Sequence, residues 1–93
     1  MTRGVGPILE AGELAVAVVA AIRELHPGVV VRDRGAYLRV EVDDRCVLRR
    51  DAVERRLGRP VALAAELERI MPSFQGRLDL GDDEVVWSAE GQP

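Results

Sequence analysis

Hydrophobic and polar positions fall into short runs of different spacing. Val5–Leu9 predicts a short strand, with Pro7 acceptable only at a sheet edge. Over Glu13–Leu25 apolar residues recur at helical spacing. His26-Pro27-Gly28 ends that run, because Pro cannot continue a helix and Gly supplies a turn. Val29–Arg32 is β-branched and predicts a strand. After an Arg34-Gly35 turn, Tyr37–Val42 alternates. Leu38, Val40 and Val42 face one way and Tyr37, Arg39 and Glu41 the other, as in a hairpin buried on one side.

Asp43-Asp44 makes the next turn, and Cys46–Arg49 a further short strand. Asp51 is expected to cap a helix through Leu57, with Glu54 completing a variant capping box and Gly58 ending it. Ala62–Ile70 forms another helix, stopped by Met71-Pro72. Gln75–Leu80 and Glu84–Trp87 pair across Gly81-Asp82, while Met1–Gly4 and Glu90–Pro93 are expected to fray. The order is β-α-β-β followed by β-α-α-β-β. It predicts an α+β fold, a single domain over residues 1–93 with an ordered core of about 5–88, built as two small sheet-and-helix halves around one core.

The first helix is atypical. Leu14, Val18, Ile22 and Leu25 make the stripe expected to face a sheet. The opposite side should be charged, yet it carries Val16, Val19 and Ala20 beside Glu13, Arg23 and Glu24. Two readings stay open: a helix sandwiched between the two halves, or a docking surface whose small side chains let a partner approach closely.

Composition narrows the function classes. With 47% hydrophobic and 31% charged residues the chain has an ordinary globular balance. The formal net charge of −3 argues against a general nucleic-acid binder. All 13 basic residues are Arg, a side chain suited to planar, bidentate pairing with carboxylates. Those between Arg45 and Arg59 are interleaved with Asp and Glu, which predicts local ion pairs. The longest apolar stretch, Leu14 to Ile22, is too short to span a bilayer. No signal peptide is recognised and Cys46 is alone, so a soluble cytoplasmic protein without disulfides is expected.

Catalytic parts are missing from the pattern. His26, the single histidine, sits at a helix end, where a protonated ring would complement the helix dipole. One His and one Cys do not make a zinc site of ordinary spacing, and Cys46 shares a strand side with Leu48 as a buried thiol would. Ser73 and Ser88 have no sequence link to His26 that would suggest a triad. The acidic clusters Asp43-Asp44 and Asp82-Asp83-Glu84 fall in turns and lack calcium-loop spacing. Gly4 and Gly6 precede no Lys, so no phosphate loop is present. The balance favours a binding or regulatory module.

Five segments in fixed order carry a resemblance. They are Val5-Gly6-Pro7-Ile8-Leu9, Asp33-Arg34-Gly35-Ala36-Tyr37-Leu38-Arg39-Val40, Leu48-Arg49-Arg50-Asp51, Leu57-Gly58-Arg59-Pro60 and Met71-Pro72-Ser73-Phe74-Gln75-Gly76. From about Val5 to Trp87 the chain resembles the coupling (effector) proteins of bacterial multicomponent diiron monooxygenases. The resemblance implies a protein with no cofactor and no metal that docks on the large subunit of a diiron hydroxylase, with the reductase and ferredoxin as indirect partners and neither nucleic acid nor membrane involved. It implies a turn and strand at Asp33–Tyr37, with Tyr37 on the outer side of the first sheet, and makes Phe74 the expected anchor of the second half's core. Val16, Val19, Ala20, Arg23 and Tyr37 are the candidate partner-binding residues.

The chain departs from the family pattern in three places. Val61 stands where relatives carry a larger aromatic. Ala64 and Ala65 replace a Ser or Thr cap, so the third helix is expected to fray at its start. Only four residues precede Val5, which is more like aromatic and alkene systems than methane systems. The alternative is an interaction domain, or a subunit of another complex, with no oxygenase role.

Overall fold

The computed structural model describes residues 4–89, in which seven strands and three helices follow one another. They are β1 (Gly4–Glu10), α1 (Glu13–Leu25), β2 (Val30–Asp33), β3 (Tyr37–Asp43), β4 (Arg45–Arg49), α2 (Arg50–Leu57), α3 (Leu63–Ile70), β5 (Ser73–Gln75), β6 (Arg77–Leu80) and β7 (Glu84–Ser88). The strands make two antiparallel sheets, ordered β2-β3-β1-β5 and β4-β7-β6. The α+β class and element order expected from the sequence are present, with short β5 added. The ends expected to fray lie outside the described residues except Gly4, which opens β1.

Alternation in β3 does what its pattern dictates. Val40 and Val42 are buried and Leu38 half-buried, while Tyr37 on the other face is exposed. At the hairpin turn, Gly35 has a φ of 80° and donates its N–H to Asp33 Oδ1 at 2.8 Å, an Asx turn closed by a left-handed residue. Pro7 departs from expectation, since β1 lies between β3 and β5 and is not an edge. The β1–β3 pairing runs through Val5↔Val42 and resumes at Ile8↔Arg39, so the missing proline N–H falls in the gap.

The chain crosses between sheets at two single residues. Asp44 (φ 63°) separates β3 from β4, and Gly76 (φ 97°) separates β5 from β6. A Cβ on Gly76 would lie 2.6 Å from Ser88 O and 2.9 Å from Val5 Cγ1, so no side chain fits there. Both crossings abut the end of β7, because Ala89 N–H donates to Asp44 O at 2.8 Å. The sequence pattern predicts one strand over Gln75–Leu80; Gly76 breaks it and sends its start to the other sheet.

One core joins the halves. Val5, Leu9, Val18, Ile22 and Val40 meet Leu48, Val53, Leu67, Val85 and Trp87 in a single buried cluster. Trp87 is the largest fully buried side chain, and its indole N–H has no hydrogen-bond partner among the described residues. Phe74 is not the core anchor. It sits on edge strand β5 and is 38% exposed, and Trp87 on the central strand β7 fills that role.

Candidate functional site

The first helix decides how the surface is organised. Ala15, Ala17, Val18, Val19, Ala21 and Ile22 are all buried. At 100° per residue they cover an arc of roughly 200°, too wide for a helix packed on one sheet. The helix is therefore enclosed from more than one side, with α2 and β4 among its neighbours. Its remaining arc presents Glu13, Val16, Ala20, Arg23 and Glu24. Leu25, expected on the sheet-facing stripe, is 48% exposed because it lies in the last turn.

The five candidate docking residues separate accordingly. Val16 is 55% exposed, Arg23 is exposed and Ala20 half-buried, together on the outer arc of α1. Val19 is buried and belongs to the core. Tyr37 is exposed, but on the face of the first sheet turned away from the core in which α1 is packed. The structure thus brings Val16, Ala20 and Arg23 together and sets Tyr37 apart. The signal that separates Val19 from Val16 is its angular position, 300° further round the helix and inside the buried arc.

His26 ties the end of α1 to the second sheet. Its backbone N–H donates to Ile22 O at 2.9 Å, and its Nε2 accepts from Val47 N–H at 2.9 Å. An accepting Nε2 carries no proton, so the ring is neutral, not the helix-capping cation expected from its position. Partial burial, and then the Arg45 charge, hold its pKa below the ordinary value of 6.5. The bond also satisfies an outward N–H of β4, an edge strand of its sheet.

Carboxylates stitch the α2–α3 connection. Asp51 is not the cap of α2: Arg49 holds that position, no side chain caps it, and Asp51 lies within the first turn. Arg50 N–H donates instead to Asp83 O at 2.8 Å, and the Arg50 guanidinium meets Asp83 Oδ1 at 2.8 Å. Glu54 accepts from Val61 N–H at 2.8 Å and Glu66 from Ala62 N–H at 2.9 Å. The start of α3 is thus closed by Glu66 reaching back, where a missing hydroxyl cap suggested fraying. That backbone bond, and then Arg59 at 3.1 Å, hold the Glu66 carboxyl below its usual pKa.

The Arg-rich segment forms the local pairs its interleaved acids suggested. Arg49 meets Asp51 at 3.4 Å, and Arg55 reaches across to Glu24 of α1 at 2.8 Å. Cys46 is fully buried, and burial pushes its thiol up to about 12, so no reactive thiolate forms at neutral pH. Among the described residues no group of three or more His, Cys, Asp or Glu could hold a metal ion, and no helix is long and apolar enough to cross a membrane. The arrangement offers contact surfaces on a frame built around one buried core.

Comparisons with known proteins place this frame. The family model described as MmoB/DmpM matches residues 3–88. The effector subunit of the alkene monooxygenase system of Xanthobacter autotrophicus (strain ATCC BAA-1158 / Py2) is 45% identical over 85 residues, covering 89% of this chain and 83% of that relative. Two solved structures of a phenol hydroxylase–regulatory protein complex contain a chain of the same fold. One has a TM-score of 0.82 at 22% identity, covering 92% of this chain and 98% of that one. The other has a TM-score of 0.80 at 21% identity, covering 92% and 99%.

Proposed function

Because the chain belongs to the MmoB/DmpM family, we propose that it is the non-catalytic effector of a multicomponent diiron monooxygenase, and that it binds the hydroxylase and couples oxygen activation to substrate oxidation. The observation that carries this reading is the 45% identity to an alkene monooxygenase effector subunit across most of both chains. That relative also favours an alkene-type system over an aromatic one. The reductase and ferredoxin of the system are indirect partners, and a cytoplasmic location suits all of them.

The physical requirement is differential affinity. An effector shifts a hydroxylase toward its active arrangement only by binding that arrangement more tightly than the resting one. Reversing a 1:99 population takes roughly 5.5 kcal/mol of that difference, within reach of an interface of ordinary size. No side chain of this protein need touch oxygen or substrate. Docking near the cover of the active site would move helices that carry iron ligands or line the substrate path. The outer arc of α1, with Val16, Ala20 and Arg23, is the proposed contact, and its small residues allow close approach of a partner helix.

Titrating the protein into hydroxylase, reductase and ferredoxin tests this. Product formed per electron consumed should rise and peak near one effector per active site. An unchanged ratio would sink the proposal.

A further inference from the structure

The solvent face of the second sheet holds two arginines in one row. In β4-β7-β6 the registered partners Arg45↔Ser88 and Arg77↔Ser88 lie side by side. Directly opposed residues of an antiparallel sheet share a face. The neighbouring row, Cys46, Trp87 and Leu78, turns into the core, so Arg45, Ser88 and Arg77 turn to solvent. Strands are about 4.8 Å apart, which puts the arginine Cα atoms about 10 Å apart with the Ser88 hydroxyl between them. Two guanidinium groups can close over one oxyanion at that spacing.

Neither arginine has an ion pair among the described residues, unlike Arg49, Arg50, Arg55 and Arg59 nearby in the sequence. Asp79 lies two positions along β6 from Arg77 on the same face and is not paired with it. One end of the row lies on the strand to which the end of α1 is tied. His26, three residues beyond Arg23, is bonded to Val47, and Val47 is two positions from Arg45 on one strand face. The Arg45 charge acts on the His26 ring, so the row lies near the end of α1.

We propose that Arg45, Ser88 and Arg77 form a carboxylate-recognition point, which takes an Asp or Glu side chain of the hydroxylase when the effector docks. This rests on the effector reading above. The guanidiniums supply planar charge-assisted donors and Ser88 a neutral one, a set that fits a carboxylate and disfavours a cation.

The test is calorimetric binding of the full chain to its cognate hydroxylase. Arg45→Glu and Arg77→Glu should each weaken binding at least about tenfold, or 1.4 kcal/mol. The double variant should also lose most of the salt dependence. Arg69→Glu, on α3, should bind as the unaltered chain does. Unchanged circular dichroism and Trp87 emission show that the variants fold. If the unaltered chain binds and both reversals bind equally well, the recognition point is overturned while the effector reading stands. If the unaltered chain does not bind hydroxylase at all, the effector reading falls. Citrate titrated into the free protein then decides the site alone: joint movement of the Arg45, Arg77 and Ser88 NMR signals supports it, and no movement overturns it.

Discussion

Helix α1 and the α2–α3 pair hold their places by different means. The 13 residues of α1 have no side-chain cap, and six of them are buried. The 8-residue helices α2 and α3 bury two residues each, Ala52 and Val53 on one and Leu63 and Leu67 on the other. Carboxylate bonds to backbone make up for that smaller area, through Glu54 to Val61 and Glu66 to Ala62. A long apolar helix is fixed by the area it removes from water, whereas short ones need their free N–H groups satisfied one at a time. One region should therefore respond to cavities and the other to charge and pH.

The sharpest way to break this contrast is Ile22→Ala. Removing a fully buried chain from the enclosed face of α1 should cost about 2–5 kcal/mol in urea unfolding. A loss below 1 kcal/mol would mean that α1 does not depend on burial. Next, Glu66→Ala should cost about 1 kcal/mol, the ordinary value of a lost helix-start bond. Because folding lowers the Glu66 pKa, its contribution is full above the ordinary carboxylate value of 4.5 and fades as pH falls through the folded value. Glu66→Ala should therefore differ from the unaltered chain at neutral pH and converge with it in acid.

His26 ties the end of α1 to β4 and gives the third test. Its folded pKa is lowered, so its contribution is complete above 6.5 and is lost as pH falls through the folded value. Stability measured between neutral pH and the carboxylate range should decline for the unaltered chain. His26→Gln keeps an acceptor without the titration and should flatten that decline. The smallest effect on stability is expected at Val16→Glu. At 55% exposure the change should stay within about 0.5 kcal/mol, yet it should abolish hydroxylase binding by the α1 face. An unfolded variant would return Val16 to the core side of the helix.

Periodicity was enough where an element's own residues switch regularly between a buried and an exposed side. Glu13–Leu25 matches α1 in full, and the alternation of Tyr37–Val42 places its buried and exposed sides correctly. What it missed depends on packing between distant segments. Phe74 looks like a core residue until β5 is found on an edge, and Asp51 looks like a cap until Arg50 N–H is found bonded to Asp83. The break at Gly76 had a local signal, a glycine inside a strand pattern, but the close approach of Ser88 that enforces it is long-range. At the candidate site the apolar residues of α1 stood out from sequence. Which of them face outward follows from where the buried arc of α1 lies, and which arginines share a row with Ser88 required the register of β4, β6 and β7.

The strand that braces both sheet crossings is also the last of the seven to be made. β7 is the middle of its sheet, so β4 and β6 have no partner until it appears. During synthesis everything before Glu84 can leave the ribosome without a closed second sheet. The domain then completes its fold only once the final strand slots between two waiting neighbours, and a nascent chain stalled before that strand should remain open to protease.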